Sequence, residues 1–169
     1  MKLIKNFILI FFFLIISSQN SFANKINYID IDFIIKNSER GKLIIQNLEK
    51  INKKNIEELK NEQKSLLDIE KDIKNKKNIL SEDEINKKIN DLNLKVKNFN
   101  VKKSKINKEY NKMKQTELNN FFAKVEKLIA NYVKEKSIDL LIDKKTVFVG
   151  ITSLDVTDDV LNLVNKNIK

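Results

Sequence analysis

The stretch INKKINDLNLKVKNFNVKKSKINKEYNKM, residues 85–113, decides the fold. Its apolar residues recur at alternating intervals of four and three, while almost every residue between them is Lys, Asn, Glu or Asp. This spacing places one apolar stripe along a helix and is typical of a coiled coil. The sequence therefore predicts a long, exposed helix packed on a partner helix. The nine positions of the stripe, eight of them apolar, are Ile85, Ile89, Leu92, Val96, Phe99, Lys103, Ile106, Tyr110 and Met113.

Residues 42–77 predict the partner helix, and its stripe is thinner. One apolar position recurs every seven residues, but the alternate positions Gln63, Glu70 and Lys77 are polar. We therefore expect this first helix to be weakly packed and flexible in its outer part. The apolar positions of the sparse repeat are Leu59, Leu66, Ile73 and Leu80.

The turn between the two helices is marked by Ser81. Its hydroxyl can cap the next helix while Glu84, three residues later, bonds back to the cap, which forms a capping box. The tip of an antiparallel hairpin is therefore predicted at residues 76–81, with the second helix running to about residue 136. Thirty-odd residues at about 1.5 Å each give an arm roughly 50 Å long.

The two ends of the chain predict a small α+β body at the base of this arm. Residues 25–31 fit a strand, and Asp32 can cap a short helical turn over residues 32–37. Gly41 is interpreted as a break before the arm, and a last helix is expected to start at Thr157. Two further strands are predicted at residues 139–142 and 146–149. The organisation is thus a body from residues 24–41 and 115–169, and an arm from residues 42–114.

Composition excludes most catalytic chemistry. The chain has no His, Cys, Trp or Pro and only two glycines. It lacks the usual general base, soft metal ligands and thiol nucleophile, so we expect neither an enzyme nor a cofactor or metal site. The carboxylates Asp30, Asp139 and Asp143 have no visible acid–base or metal partner in the sequence. The absence of Pro agrees with very long helices.

The first 23 residues predict a secretory signal peptide. Lys2 and Lys5 precede the apolar run of residues 7–16, and Ser21-Phe22-Ala23 matches a small-x-small cleavage pattern. An uncleaved membrane anchor is the alternative, but the run has about half of the roughly twenty residues that span a bilayer. We therefore expect cleavage after Ala23 and export of the remaining chain, in which the absence of Cys excludes disulfides.

Positive charge is concentrated on the arm. Residues 42–114 carry twenty basic and twelve acidic side chains, whereas residues 24–41 and 115–169 are each balanced. A positive, extended segment attracts acidic polypeptides, nucleic acid or anionic lipid. Each single lysine can equally be read as part of a solvated helix face. Six lysines near the tip are the candidates for contact with anions: Lys71, Lys74, Lys76, Lys77, Lys87 and Lys88.

A sheet of three short strands leaves edges unpaired, which favours association through the body. The alternative is a monomer in which the base of the hairpin covers the sheet. The candidate oligomerisation residues are Ile26, Tyr28, Ile29, Ile31, Leu141, Val147, Phe148 and Val149.

The chain resembles the Skp/OmpH family of periplasmic chaperones. The resemblance rests on residues 28–30, 34–35 and 38–42 before the hairpin, and on residues 133–144, 147–149 and 154–160 after it. Two departures are visible: Glu39 stands where the family often has Pro, and Ser137 where it often has Gly. Ser137 weakens the expected left-handed helix stop, so we expect the end of the second arm either to fray or to hold a strained residue there.

This resemblance implies a homotrimer in which short strands form a central barrel-like body and three hairpins surround a cavity. It implies a periplasmic, ATP-independent holdase that binds unfolded outer-membrane β-barrel proteins and prevents their aggregation before insertion. Contact with an anionic lipid or lipopolysaccharide surface is a further expectation, whereas nucleic acid is excluded because an exported chain does not meet it. The competing function is a structural or adaptor coiled coil of the cell envelope.

Overall fold

The computed structural model describes residues 25–169 and consists of a long helical hairpin on a small α/β body. The predicted signal peptide and its cleavage site lie outside the described residues. In chain order the elements are β1 (Ile26–Ile29), α1 (Ile31–Asn37), α2 (Glu39–Lys76), α3 (Glu82–Glu135), β2 (Leu140–Asp143) and α4 (Thr157–Asn167), with short 3-10 turns at Lys144–Thr146 and Thr152–Leu154.

The arm is an antiparallel pair formed by α2 and α3, as the sequence predicts. Its tip lies between Lys76 and Glu82. The Ser81 backbone N–H donates to Glu84 Oε2 at 3.0 Å, and the Glu84 N–H donates to Ser81 Oγ at 3.4 Å. These two bonds satisfy donors that the first turn of α3 would otherwise leave free, and they confirm the predicted capping box.

Only part of the apolar seam of α3 is buried within the hairpin. Ile85, Leu92 and Phe99 are partly buried against α2. In contrast, three other seam side chains remain 38% to 40% exposed. The reason is the polar stripe of α2, which offers too few apolar partners to cover both edges of the seam. The exposed seam residues are Ile89, Val96 and Met113.

The body is held by parallel pairing of the two chain ends. β1 and β2 form a two-stranded sheet in which Ile26 lies opposite Leu140 and Ile29 lies opposite Asp143. Around this sheet, α1, α4 and the last turns of α3 bury one continuous core. The side chains with less than 2% exposure are Ile34, Ser38, Val125, Val160 and Val164.

The prediction of a third strand at residues 146–149 is wrong for the single chain. Thr146 ends a 3-10 turn, and residues 147–151 are irregular. Phe148 is completely exposed, at 101% of its reference surface. β-propensity alone cannot hold a strand, because a strand needs a partner for its backbone groups. Instead, Tyr28 in β1 forms an isolated bridge with Asp155.

The boundary between body and arm differs from the prediction at Gly41. The helix break is at Ser38, which caps α2 through a bond of 3.1 Å from the Gly41 N–H to its Oγ. Gly41 lies inside the first turn, where a Cβ atom would stand 1.9 Å from the Ile35 carbonyl oxygen. Gly41 therefore permits close approach of α1 and α2. The short helix α1 is likewise capped by Asp30, not by Asp32.

At the end of α3, Ser137 is a strained residue, which is one of the two alternatives expected from the sequence. The Ile138 N–H bonds to the Val133 carbonyl at 2.9 Å, and the Ser137 N–H bonds to the Lys134 carbonyl at 3.3 Å. These are the two bonds of a Schellman stop, which requires a left-handed residue between them. Ser137 adopts that conformation with φ of 52°. The stop turns the chain sharply into β2 and buries Ile138 in the core.

Candidate functional site

The six tip lysines form a loose basic collar around the end of the arm. Lys74 pairs with Glu70 at 2.7 Å and Lys76 pairs with Asp72 at 2.8 Å, both within α2. These lysines lower the pKa of the two carboxyls, chiefly through the hydrogen bonds that they donate. Across the described part of the chain, the other four lysines have no carboxylate within 4.0 Å and remain available to a partner. They are Lys71, Lys77, Lys87 and Lys88.

Beyond the collar, the tip itself exposes an isoleucine. Ile79 lies in the turn between the helices and is 80% exposed. Lys77 and Lys76 lie two and three residues before it in the chain. The extremity of the arm therefore offers one apolar contact beside positive charges.

Halfway along the arm, one lysine bridges the two helices. Lys102 on α3 donates to Glu58 and Glu62 on α2, each at 2.7 Å. The two hydrogen bonds raise the pKa of Lys102, and the bond from Lys102 lowers the pKa of Glu58. Because all three side chains are partly exposed, this bridge aligns the helices more than it stabilises them. The sequence pattern did not single it out, since Lys102 and Glu62 are 40 positions apart in the chain and charges at that separation carry no local signal.

Two open grooves follow the arm. One lies between the outer parts of α2 and α3, has a volume of about 650 Å³ and is lined by charges of both signs. The other is a shallow, open surface lined by α3 alone, from Asn93 to Glu109. We call the second one the α3 groove. Val101, which lies outside the seam and is 62% exposed, forms part of its floor.

On the body, large apolar side chains are exposed on the two-stranded sheet and in the loop that follows β2. We define this body patch by five exposed side chains: Ile26, Leu140, Phe148, Val149 and Ile151. Ile26 lies opposite Leu140 in the sheet, and the other three side chains fall within four consecutive residues of one loop. Large exposed apolar patches are typical of interaction sites.

The loop that carries Phe148, Val149 and Ile151 is anchored to the rest of the body by an ion pair, a cation–π contact and a hydrogen bond. Lys144 pairs with Asp155 at 2.8 Å and lies 5.8 Å from the centre of the Tyr28 ring. The Tyr28 hydroxyl donates to the Ile151 carbonyl at 3.1 Å. Burial opposes ionisation of Asp155, but the bonds from Lys144 and Thr157 outweigh it and lower its pKa. Phe148 and Val149 are thus displayed on a fixed support.

The carboxylates considered as catalytic candidates have structural roles. Asp30 accepts from the Phe33 N–H, Asp139 accepts from the Lys25 N–H, and Asp143 accepts from the Lys145 N–H. Among residues 25–169, no group of three or more acidic side chains is placed to hold a metal ion. In the same residues, none of the helices combines the length and apolarity needed to cross a bilayer.

Comparison with known proteins places this architecture in a family. The family profile described as outer membrane protein (OmpH-like) matches residues 25–164, which cover both ends of the body and the whole arm. The chain belongs to the OmpH-like family. No protein in the curated set of sequences matches this OmpH-like chain.

Among solved structures, the OmpH-like chain is similar to a crystal structure from Caulobacter crescentus CB15, described there as a candidate outer membrane chaperone (OmpH-like). The TM-score is 0.78 at 21% sequence identity, and the match covers 86% of each chain. At this identity the similarity concerns the fold.

The OmpH-like fold divides the predicted oligomerisation residues into three groups. Tyr28 and Ile29 are buried within the chain itself, at 8% and 3% exposure. Ile31, Leu141 and Val147 are partly buried. Ile26, Phe148 and Val149 are exposed and belong to the body patch. The sequence analysis missed Leu140 and Ile151 as candidates, although Leu140 lies within one predicted strand and Ile151 lies two residues after the other.

Proposed function

We propose that this chain is an ATP-independent holdase of the periplasm, which binds unfolded outer-membrane β-barrel proteins between helical arms and keeps them from aggregating. The observation that carries the proposal is the OmpH-like family match over residues 25–164, joined to an arm that exposes both positive charge and apolar side chains. Export by the predicted signal peptide would bring the chain to its clients. The described residues offer no cluster of metal-ligating side chains, and binding alone is sufficient for this role.

The cavity of the proposed holdase requires several copies of the chain, which we propose to be three. A two-stranded sheet is marginally stable by itself, and its open edge tends to pair. The body patch lies on this sheet and in the loop after it, and it is apolar, as the surface between permanent subunits usually is. Residues 146–149, which are strand-like in sequence, gain their missing partner if they pair with a neighbouring copy. Three arms would then project from a shared barrel-like centre.

The positive excess of the arm supports capture of acidic, unfolded clients. Residues 42–114 carry eight more basic than acidic side chains. Electrostatic attraction of this type raises the rate of encounter more than the final affinity. The four free lysines of the tip collar and Ile79 stand farthest from the body, so a client or an anionic membrane surface would meet them first.

The holdase proposal is tested by diluting a urea-unfolded outer-membrane barrel protein into buffer with the purified chain lacking residues 1–23. We expect turbidity to be suppressed without ATP, and we expect the mass of the complex to equal three chains and one client. A chain that stays monomeric and leaves turbidity unchanged would refute the proposal. That result would favour the envelope adaptor, whose binding requires no unfolded client.

A matched pair of variants tests the tip collar. Replacing its six lysines with Gln should slow client capture and weaken the dependence of the capture rate on salt, since screening acts on those charges. The control carries six Gln substitutions nearer the body, with the same loss of charge. Equal slowing in both variants would assign capture to net charge and not to the tip. The control positions are Lys50, Lys53, Lys54, Lys60, Lys112 and Lys114.

A further inference from the structure

One side of the hairpin leaves apolar side chains uncovered on both helices. The charged groove marks the other side, since residues such as Asp68 on α2 and Asp91 on α3 line it. Successive residues of a helix are about 100° apart, and on each helix the interface residues, Leu66 and Phe99 among them, lie between that lining and a second set of apolar side chains. The second set therefore faces away from the charged groove. We call this side the open flank; its apolar side chains, which are 38% to 58% exposed, are Ile56, Leu67, Ile89 and Val96.

The apolar side chains of the open flank form a surface common to both helices. Lys102 pairs with Glu58 and Glu62, so residue 102 of α3 lies level with the middle of residues 58–62 in α2. Because the helices are antiparallel, counting from this level toward the tip leads to Val96 on α3 and to Leu67 on α2 within one residue of each other. These two side chains therefore stand side by side. The other two members extend the surface to roughly 25 Å along the arm.

Four asparagines at intervals of seven border this apolar surface on α3. Each one directly follows a seam residue that is partly buried against α2, so its side chain projects about 100° away from the interface, toward the open flank. An amide side chain both donates and accepts hydrogen bonds, and it can therefore pair with an identical amide. The four residues are Asn86, Asn93, Asn100 and Asn107.

The spacing of the open flank on α3 fits another helix. Ile89 and Val96 are seven residues apart, as are successive asparagines, and this is the repeat at which two helices stay in contact. Seven helical residues rise about 10.5 Å, whereas alternate side chains of an extended strand are about 6.8 Å apart, so a strand does not match this repeat. The same helix of a second copy does match it. Arms that project from a shared body run parallel, which sets each asparagine level with its own counterpart.

We propose that the α3 helices of neighbouring copies close against each other in parallel through the open flank when no client is bound, and that a client separates them. The inference rests on the assembly and holdase function proposed above and adds a resting state to them. A client held between the arms occupies the space that this contact closes. Lys103, seven residues after Val96, lies beside its own counterpart in the closed state, and repulsion between the two ammonium groups keeps the contact weak enough to open.

The experiment exploits the absence of Cys from the natural sequence. In the chain lacking residues 1–23, Val96→Cys places one thiol per copy on the open flank. Asn98→Cys is the matched control, because residue 98 is exposed and lies about 200° farther around α3. Copper phenanthroline oxidises two thiols to a disulfide only where their Cβ atoms approach within about 4.5 Å. We expect covalent dimers of Val96→Cys to form about tenfold faster than those of Asn98→Cys, at a rate independent of protein concentration, because the shared body holds the thiols together.

Three changes of condition or sequence test the nature of the contact. A urea-unfolded outer-membrane barrel protein, added before the oxidant, should slow formation of the Val96→Cys disulfide about tenfold. Higher salt should speed it, since screening weakens the repulsion at Lys103. Asn93→Lys, combined with Val96→Cys, should slow it about tenfold because like charges then face each other, whereas Asn98→Lys, on the far side of α3, should not.

The outcomes separate this inference from the holdase proposal. If the chain is trimeric and suppresses aggregation, but Val96→Cys crosslinks no faster than Asn98→Cys, the arms do not close through the open flank. Equal crosslinking with and without client would overturn the opening by clients. A client with a single Cys that crosslinks to Val96→Cys, with no link between copies, would assign the open flank to the client. If crosslinking is selective but aggregation is not suppressed, the holdase proposal fails while the contact between arms stands.

Discussion

In the body, three apolar side chains have no exposed surface, whereas three seam side chains of the arm keep 38% to 40% of theirs. The fully buried body residues are Ile34, Val160 and Val164. Burial contributes roughly 25 cal/mol for each Å² of apolar surface, so the body gains more stability per residue than the arm. The arm depends on helix propensity, the Ser81 capping box and the bridge at Lys102. The body can thus keep its shape while the arm adapts.

The sharpest test of the body is Gly41→Ala. The added methyl group would collide with the Ile35 carbonyl oxygen, which belongs to the backbone and cannot rotate away. We expect a loss of about 3 kcal/mol in the free energy of unfolding, measured by urea denaturation. The control is Lys42→Ala, one position farther along α2 and exposed. Equal midpoints for the two variants would show that α1 and α2 are not closely packed.

The junction of body and arm is tested by pH. The Tyr132 hydroxyl on α3 donates to Asp159 on α4 at 2.7 Å. Burial, and then this bond, raise the pKa of Tyr132 to about 12, above its ordinary value of 10.0. The folded chain therefore holds the proton more tightly than the unfolded chain. The resulting stability is complete below pH 10 and is lost as the pH rises to about 12.

Tyr132→Phe removes this dependence. We expect the difference in unfolding free energy between the wild type and this variant to fall by about 2 kcal/mol between pH 10 and pH 12. Urea denaturation at intervals of pH measures it, and Tyr110→Phe, on the arm, is the control. Parallel curves for the wild type and Tyr132→Phe would mean that this hydroxyl contributes nothing to the junction.

A smaller change of opposite sign is expected at the end of α3. Ser137→Gly relieves the left-handed strain at φ of 52° and should raise the free energy of unfolding by about 0.5 to 1 kcal/mol. Lys136→Gly is the matched control, because its φ of −86° is ordinary and glycine there should destabilise the chain. Thermal unfolding measures both. Destabilisation by Ser137→Gly would contradict the Schellman geometry.

The smallest effect concerns the arm alone. Lys102→Gln removes the bridge to Glu58 and Glu62, and we expect amide exchange in α2 around those residues to rise a few-fold. The midpoint of global unfolding should stay unchanged, because an exposed ion pair contributes little. Lys105→Gln is the control, since Lys105 pairs within its own helix. Unchanged exchange in both variants would mean that the bridge does not align the arm.

The arm was predictable because its signals are local. The capping box at Ser81 and the 4-3 spacing of α3 are both readable within a few residues, and both proved correct. At Ser137, where the family often has Gly, the sequence left fraying and strain as alternatives, and the structure shows the strained residue. The spacing did not predict that Ile89 and Val96 are exposed. Their exposure depends on α2, which offers too few apolar residues to cover them.

The body was less predictable because its contacts join distant residues. The residue type of Gly41 suggested a helix break. Its role is instead to allow close approach to Ile35, and only the packing of α1 against α2 reveals this. Residues 146–149 have the composition of a strand but find no partner in the single chain. In the α3 groove, Val101 carried a readable signal, since it is apolar outside the seam, but a single residue does not define a groove.

The parallel pairing of β1 with β2 has a consequence for the order of folding. Lys25 and Asp139, which meet beside this sheet, are 114 positions apart in the chain. Closing a loop of that length costs entropy, but the cost falls when a hairpin has already zipped within the loop. Formation of the antiparallel hairpin therefore brings β1 and β2 close to each other before they pair. Until residues 140–143 have been synthesised, the nascent chain can form the hairpin but not the two-stranded sheet of the body.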